Sequence, residues 1–448
     1  MPTKKNTNEE QMPGEDAPAK PSIERVKTAT GKLPRWPVID RLRGLVMALM
    51  VLDHSLFYFT DPAIAPCDLV SNPFASLFWM EWVTHFCAPT FFLLAGVSAY
   101  LQTSRGMSKQ DLSKYLLSRG LILIVLDFTV VQWCLFFCVD FSVFSPLVLW
   151  MLGASMIVLA GLIWLPTAGI GVFGVTMILF HNLLYLVKPD DLGIPNWLWT
   201  LLHQENGGFL SPPSGRPVVF VNFKLIPWVG VMATGYALGA LLMCESKTRR
   251  KILWRLGGVM TLSFLVLRYF NLYGDPQPWP YPAEVIGDNR LWNVMSFLNT
   301  EKYPASLQFL LMTLGPVFLL WGCLDWEPAE EGKPKVGDRL LRPFQQFGRV
   351  PLFFYIGQWF MLHFLAVILA WCEGRPTDWL FATFDLKIAE VDIDHPKTIR
   401  VLNWDPNADI GWNGAIYATV IAVLLLYPAC VWYGRLKQRY PKSWLRLF

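Results

Sequence analysis

An arginine and a histidine lie on one face of the first apolar segment of this chain. The segment runs from Pro37 to Phe59, which is long enough to cross a bilayer as a helix. Arg43 and His54 are eleven positions apart, so a helix places them within about 20° of each other and about 16 Å apart along its axis. Ionisable residues inside a membrane are costly and usually mark a site or a pathway. The spacing predicts a fixed cation near one membrane surface and an imidazole toward the other, which suits a long anionic ligand with a reactive end.

His54 is the strongest catalytic candidate in this segment. A neutral imidazole can accept a proton from a hydroxyl or an amine near neutral pH, which is the task of a general base. Asp53 is adjacent in sequence and therefore points about 100° away, so it is a poor partner for the ring. We expect His85 or Asp127, from other apolar segments, to support His54, although each is equally suited to a structural role.

Three arginines near the ends of apolar segments are candidate ligands for phosphate groups. They are Arg43, Arg119 and Arg349, whose planar guanidinium groups match the oxygens of a phosphate. The alternative for Arg119 and Arg349 is the ordinary excess of basic residues in the cytoplasmic segments of membrane proteins.

The elements that must position these side chains are transmembrane helices. Of the 448 residues, 54% are hydrophobic and only 16% are charged, and the mean hydropathy is +0.36. The 21 tryptophans and 31 phenylalanines are an aromatic excess typical of membrane interfaces. We therefore predict an all-α, polytopic membrane protein, and the net charge of +4 gives no support to nucleic-acid binding.

Apolar runs predict about ten transmembrane helices, and lysines and arginines concentrate in the segments on one side of them. This asymmetry predicts that both termini are cytoplasmic. Residues 1–35 are polar and lack an apolar core, which predicts a disordered cytoplasmic tail. The predicted spans are 37–59, 76–101, 115–138, 144–165, 167–188, 224–244, 251–272, 304–324, 350–372 and 414–435.

Four of the six histidines fall inside these spans at a similar depth, roughly 7–14 Å from the outer ends of their helices. A shared depth favours a common cavity, and the alternative is a set of polar groups that hydrogen-bond between helices. Further intramembrane polar residues accompany them. The histidines are His54, His85, His181 and His363, and the others are Asp53, Glu81, Asp127, Arg268 and Gln358.

Three other signals exclude common alternatives. The eight cysteines form no CxxC pair, so neither a zinc site nor a disulfide framework is supported, and we predict no metal. No GxxxxGK[ST] loop is present, which argues against an ATP-driven pump. The GIGVFG string at 169–174 begins an apolar span without a preceding soluble strand, so we interpret it as close helix packing rather than a dinucleotide site.

Several of these segments resemble blocks of known acyltransferases. IDRLRGLVMALMVLDH (39–54) resembles the opening helix of the membrane acyltransferase superfamily, in which ten residues separate a basic residue from a histidine. Arg43 and His54 match that pattern. Four later blocks are similar to bacterial relatives of heparan-alpha-glucosaminide N-acetyltransferase: THFCAPTFFLLAG (84–96), LIPWVGVMATGYALG (225–239), FLNTEKYPASLQFLLMTLGP (297–316) and FGRVPLFFYIGQWFMLHFLA (347–366).

The resemblance implies that residues 36–448 form a transmembrane acyltransferase-like domain. It implies transfer of an acetyl or other acyl group from cytoplasmic acyl-CoA, here acetyl-CoA, to a hydroxyl or amine at the outer side, with a sugar or glycan as the expected acceptor. A bacterial inner membrane is the expected location. Relatives often have histidine where Gln358 stands, so no catalytic role is transferred to that position.

The polar run before the eighth predicted span supplies candidate acceptor contacts, and its alternative role is a turn that begins the helix. The residues are Asn299, Thr300, Lys302 and Tyr303. The main rival function is a proton-coupled secondary transporter that uses the intramembrane histidines. Such a transporter predicts inverted repeats and helices broken near the midplane, and neither is evident in the sequence. The third hypothesis is that the protein is a non-catalytic membrane component that has kept the fold.

Overall fold

The computed structural model describes the chain in ten segments: residues 36–60, 75–140, 142–204, 208–210, 218–280, 290–326, 336–382, 386–387, 400–401 and 409–440. The predicted tail at 1–35 lies outside them. Within these segments the protein is a helical bundle with sixteen α-helices. In chain order these are α1 Pro37–Phe59, α2 Ala75–Thr84, α3 Cys87–Ser104, α4 Lys109–Leu126, α5 Gln132–Phe136, α6 Val148–Leu162, α7 Thr167–Phe180, α8 Asn196–Leu202, α9 Leu225–Leu238, α10 Ser246–Tyr269, α11 Arg290–Leu298, α12 Leu307–Leu324, α13 Val336–Leu340, α14 Arg342–Arg349, α15 Pro351–Cys372 and α16 Gly411–Arg439.

Nine helical segments of the described chain are long and apolar enough to cross a membrane, which confirms a multi-pass all-α protein. Four of them contain more than one helical element, and the other five are single α-helices. The nine are Pro37–Phe59, Ala75–Ser104, Lys109–Phe136, Thr167–Leu186, Leu225–Met243, Ser246–Tyr269, Leu307–Leu324, Pro351–Cys372 and Gly411–Arg439. Each coincides with one of the predicted spans.

The remaining predicted span, 144–165, is shorter than expected, because only Val148–Leu162 is helical. The residues before it are extended instead. Two polar side chains of the preceding span satisfy that backbone: Gln132 donates to the Val143 carbonyl and accepts from Ser145, while Asp127 accepts from the first amides of α6. Irregular backbone is tolerated at membrane depth only where the protein provides such partners.

The second span is interrupted, which the sequence analysis did not anticipate. α2 ends at Thr84 and α3 begins at Cys87, so His85 and Phe86 form a turn between them. Pro89 explains the break, because it has no amide proton to donate to the carbonyl four residues earlier, which is that of His85. A backbone turn therefore lies beside one of the predicted catalytic histidines.

Two small sheets accompany the helices. β1 Val143–Phe144 pairs in parallel with β3 Val218–Val221, and β2 Gly208–Leu210 pairs with β3 in the antiparallel direction. The other sheet joins β4 Leu386–Lys387 to β5 Arg400–Val401 as an antiparallel pair.

α1 occupies the centre of the bundle and packs against α3, α14, α15 and α16. Its crossing with α14 is very close. A Cβ built on Gly44 would lie 1.7 Å from the Phe344 carbonyl oxygen, and one built on Gly348 would lie 1.9 Å from that of Asp40. Only glycine permits this approach. The GIGVFG segment behaves as predicted, because Gly174 lies against the α9 backbone, where a Cβ would be 2.6 Å from the Thr234 nitrogen.

Candidate functional site

Arg43 is held on the inward face of α1 by two neighbouring helices. Its guanidinium donates to the Ser98 hydroxyl on α3 at 2.7 Å and to the Gly348 carbonyl on α14 at 3.2 Å. The Asp40 carboxylate, one turn earlier, lies 3.8 Å away. The close crossing at Gly44 and Gly348 makes the second of these bonds possible. Arg43 is therefore a fixed cation, as its position in the first span predicted.

The three arginines predicted to bind phosphate line one cavity of about 280 Å³. Arg43, Arg119 and Arg349 come from α1, α4 and α14, and Lys437 of α16 adds a fourth cationic side chain. No pair of the arginines is close in sequence. Four helices thus bring positive charge to a single cavity between them.

The rest of the cavity wall is mostly apolar. Met50, Leu123 and Leu152 are representative of the side chains that line it. Met50 lies seven positions after Arg43 and four before His54 in α1, so the three residues share one face of the helix. The cavity therefore follows the stripe on which the sequence analysis placed the cation and the imidazole.

Tyr355 of α15 forms the boundary between this cavity and His54. The tyrosine lines the cavity, and its ring meets the His54 imidazole edge to face, with centroids 5.9 Å apart and an interplanar angle of 83°. The Asp127 carboxylate is close enough to act electrostatically on the Tyr355 hydroxyl.

His54 is buried and stacked. Its imidazole lies over the Trp359 indole with centroids 3.9 Å apart and an interplanar angle of 22°. Its Nδ1 makes no hydrogen bond within the described part of the chain. Packing rather than a hydrogen-bonded carboxylate orients the ring, as the geometry of Asp53 implied.

A group of charged and polar residues, which we call the polar cluster, surrounds the end of α1 that carries His54. Asp53 accepts a hydrogen bond of 2.8 Å from the Thr84 hydroxyl. Lys302 Nζ lies 3.5 Å from Oε1 of Glu81, and His85 Nε2 lies 4.0 Å from the same oxygen. The Lys302 ammonium is also close enough to interact electrostatically with both His54 and His85. Of the predicted site residues, Lys302 therefore lies near both His54 and His85.

Asp127 has a clear structural function. Its Oδ2 accepts hydrogen bonds from the backbone amides of Leu147 at 2.8 Å and Trp150 at 2.9 Å, which caps the start of α6. It begins a short π-helical segment, Asp127–Val131. Its connection to His54 passes through Tyr355, so direct support of the imidazole by Asp127 stays a prediction.

The segment that carries the predicted acceptor contacts is held by a buried ion pair. Arg268, at the end of α10, donates to the carbonyls of Ser296, Phe297 and Asn299. Its Nη1 lies 3.5 Å from Asp275 Oδ1. Asp275 in turn accepts from the Glu301 amide and from the Ser306 hydroxyl, each at 2.8 Å.

Of the four acceptor candidates, Lys302 and Tyr303 lie together, with the ammonium 5.3 Å from the centre of the phenol ring. Thr300 is buried and Asn299 contributes its carbonyl to Arg268. The Ser306 hydroxyl accepts a hydrogen bond from the Phe309 amide and so caps the start of α12. The segment therefore also forms the turn that begins this helix, which was its alternative predicted role.

The other two intramembrane histidines lie apart from this arrangement. His363 stacks on Phe137 at 3.7 Å, and its Nδ1 lies 3.0 Å from the Cys134 carbonyl. His181 Nε2 lies 2.9 Å from the Ala305 carbonyl. None of the four histidines lines the cavity, and His54 alone among them is shown to contact one of its lining residues, Tyr355, within the described part of the chain. Among the described residues, no group of histidine, cysteine and carboxylate side chains is arranged to hold a metal ion.

Comparison with known protein families identifies the family of this chain. The model of the heparan-alpha-glucosaminide N-acetyltransferase catalytic family matches residues 35–267, which is just over half of the chain. The chain belongs to this family. A search of curated proteins found no match.

The region matched by the heparan-alpha-glucosaminide N-acetyltransferase family contains only part of the site. It includes Arg43, His54, His85, Arg119 and Asp127. The later part of the chain supplies further residues of the cavity, of the polar cluster and of the contact with His54: Lys302, Arg349, Tyr355, Trp359 and Lys437.

Sequence reasoning missed Tyr355 and Trp359, which contact His54 directly. Both lie in the FGRVPLFFYIGQWFMLHFLA block, four residues apart and therefore on one helix face. The available signal was this spacing of two amphipathic aromatic residues. It occurs in a block that already resembles the family, and it could have indicated that both residues face the site.

Proposed function

We propose that this protein is a membrane acetyltransferase that moves an acetyl group from acetyl-CoA to a hydroxyl or amine of a sugar. One observation carries the proposal: a cavity lined by Arg43, Arg119 and Arg349 reaches Tyr355, whose ring contacts His54. Membership of the acetyltransferase family supports the reaction class.

The donor end fits the chemistry of coenzyme A. Its phosphate groups require cations, which the three arginines and Lys437 supply. Its pantetheine arm is a narrow chain, which suits the mostly apolar wall around Met50 and Leu123. The volume of about 280 Å³ is near the lower limit for an organic ligand, so the nucleotide would lie at the mouth of the cavity and the arm inside it.

His54 would act as the general base at the inner end of the arm. As the acceptor oxygen or nitrogen attacks the thioester carbonyl carbon, its proton passes to the imidazole. The carbon–sulfur bond then breaks, the acetyl group stays on the acceptor, and the imidazolium returns the proton to the CoA thiolate. The same residues also allow an acetyl-histidine intermediate, in which the imidazole is the nucleophile and the acceptor attacks second.

Tyr355 would place the thioester. Tyr355 lines the cavity, and its hydroxyl would donate a hydrogen bond to the carbonyl oxygen as negative charge develops there. Trp359 would keep the imidazole at a fixed angle to that carbonyl. Asp127 would act as a positioning residue for α6 and Tyr355.

The acceptor would approach from the opposite end of α1. The polar cluster offers Lys302, which interacts electrostatically with His54, together with Glu81 and His85. Tyr303 provides an aromatic face of the kind that packs against a sugar ring. Asn299 and Thr300 belong to the same segment and complete the proposed acceptor contacts.

The orientation follows from charge. The end of the bundle that carries Arg43, Arg349 and Lys437 would face the cytoplasm, where acetyl-CoA is available, because basic residues favour that side. Both termini would then be cytoplasmic, and a bacterial inner membrane is the proposed location.

The decisive experiment measures the release of label from radiolabelled acetyl-CoA by purified protein in detergent, with a sugar acceptor present. His54→Gln should reduce transfer by at least about 100-fold while CoA binding is retained. His363→Gln is the matched control, because it removes another buried intramembrane histidine that lies apart from the cavity.

Equal turnover by the wild type and His54→Gln would remove His54 from the mechanism. Equal loss in both variants, with equal loss of folded protein, would assign the effect to stability. If the wild-type protein does not bind CoA, the donor site is refuted and the proton-coupled transporter becomes the leading function.

A further inference from the structure

A second cavity lies beside the proposed donor cavity, between α14 and α16, and has a volume of about 590 Å³. We call it the arginine groove. The polar residues of its lining are three arginines, two glutamines and a tyrosine: Arg342, Arg349, Arg435, Gln346, Gln438 and Tyr427. Three cations and two amides thus line the same space, and none of the described carboxylates lines it. This composition selects an anion.

The other side of the groove is apolar and partly exposed. Val431, Pro428 and Trp432 line it, and 59% of the Trp432 side-chain surface is exposed. Tryptophan with this exposure near the basic end of a span is typical of a membrane interface. A soluble anion would find this half of the groove unfavourable.

One face of α16 changes from apolar to cationic along its length. Leu424, Pro428, Val431 and Arg435 follow one another at spacings of three and four residues, so they share that face. Leu424 is 66% exposed. The eleven residues from Leu424 to Arg435 span about 16 Å, which matches the half-thickness of about 15 Å of a bilayer's hydrocarbon core.

We propose that the arginine groove binds one anionic phospholipid. The phosphate would lie between Arg342 and Arg435, with the glutamine amides on the headgroup, and an acyl chain would follow Val431 and Leu424 toward the bilayer centre. Basic pockets between helices at the membrane surface recognise such headgroups. Arg349 lines both the groove and the donor cavity, so one side chain adjoins both anions.

The test is native mass spectrometry of the full-length protein in detergent, titrated with phosphatidylglycerol or with phosphatidylcholine of the same acyl chains. The double variant Arg342→Gln/Arg435→Gln removes two cations that line the groove and not the donor cavity. Both side chains are exposed, so the variant should fold. Arg119→Gln is the matched control, because Arg119 lines only the donor cavity.

The wild type and Arg119→Gln should retain one phosphatidylglycerol at least about tenfold more tightly than the double variant, and phosphatidylcholine should show no such difference. Equal retention by all three proteins, or equal retention of both lipids, would overturn the proposal.

A soluble phosphate is the other possible source of the same anion. If glycerol phosphate displaces phosphatidylglycerol at equal concentration, the acyl chain contributes nothing and the lipid assignment is wrong. If the double variant weakens CoA binding as strongly as Arg119→Gln does, the groove belongs to the donor site.

Discussion

The imidazole of His54 and the indole of Trp359 are stacked with their centroids 3.9 Å apart. The two residues lie on α1 and α15, and 305 positions separate them in the chain. Stacking on a large, rigid ring restricts the rotation of the imidazole, which a general base at a defined angle to its substrate requires. The contact therefore connects the first helix to the part of the chain beyond the matched family region.

We expect Trp359→Leu to lower the kcat of acetyl transfer by about 10- to 100-fold, because the imidazole loses the surface that orients it. The KM for acetyl-CoA should change little, since Trp359 does not line the donor cavity. Steady-state kinetics with each substrate varied would measure both. Phe353→Leu is the matched control, because Phe353 of the same helix stacks on Tyr433 at 4.3 Å, away from His54. A rise in the donor KM with unchanged kcat would contradict this role.

Tyr355→Phe tests the hydroxyl at the end of the cavity. The ring and its edge contact with His54 remain, and only the proposed hydrogen bond to the thioester oxygen is lost. We expect kcat to fall by roughly 100-fold, the usual effect of removing one donor to a developing oxyanion, with CoA affinity preserved. Single-turnover measurement of label transfer separates this chemical step from product release. Unchanged single-turnover rates would show that Tyr355 only closes the cavity.

Arg119→Gln tests the recognition of donor phosphates. Loss of a charge-assisted contact should raise the KM for acetyl-CoA by about tenfold and leave kcat nearly unchanged. Lys251→Gln provides the control, because Lys251 is an exposed cation of α10 that does not line the cavity. A donor that lacks the 3′-phosphate should show a smaller difference between wild type and variant if Arg119 binds that group. An equal effect of both substitutions would reduce the role of Arg119 to general surface charge.

The alignment of Arg43 with His54 on α1 was predictable from the sequence, because helix periodicity determines which residues share a face. The convergence of the three arginines was also predictable, because the lengths of the apolar segments place all three near the same membrane surface. The packing interpretation of GIGVFG was predictable for the same reason, since small residues permit close helices. These features depend on one helix at a time.

The features that the sequence did not reveal depend on contacts between distant segments. In the sequence, Trp359 and Tyr355 are ordinary aromatic residues of an apolar span. Their contact with His54 becomes visible only when α15 packs against α1. Asp127 was predicted as a support for His54, and its observed hydrogen bonds, with those of Gln132, go to the extended backbone before α6. Periodicity describes which face a residue occupies and not which partner it meets.

Gly44→Ala tests the helix crossing that holds Arg43. The new methyl group would lie 1.7 Å from the Phe344 carbonyl oxygen, so α1 and α14 must separate. We expect a loss of at least about 2 kcal/mol in the free energy of unfolding and a higher KM for acetyl-CoA, because Arg43 would lose its bond to Gly348. Thermal unfolding in detergent would measure the first effect. Gly258→Ala, where a Cβ meets nothing within 4 Å, should be neutral or slightly stabilising. Equal behaviour of the two variants would contradict the close crossing.

His203 should make the protein sensitive to mild acid. It lies outside the membrane spans, after α8, where burial lowers its pKa to about 3, with a smaller contribution from nearby His181. Because the folded protein keeps this ring neutral, the unfolded chain binds the additional proton as the pH falls below about 6.5, and stability is lost. The cost reaches up to about 2 kcal/mol at pH 5, since each pH unit corresponds to about 1.36 kcal/mol.

His203→Gln should therefore show a smaller decrease in the unfolding temperature between pH 7 and pH 5 than the wild type does. The comparison isolates this residue, because the other buried histidines are present in both proteins. Parallel decreases in the two proteins would mean that His203 is already protonated in the folded state. The packing of His203 against Tyr185, with ring centroids 4.9 Å apart, would then have to accommodate a charged ring.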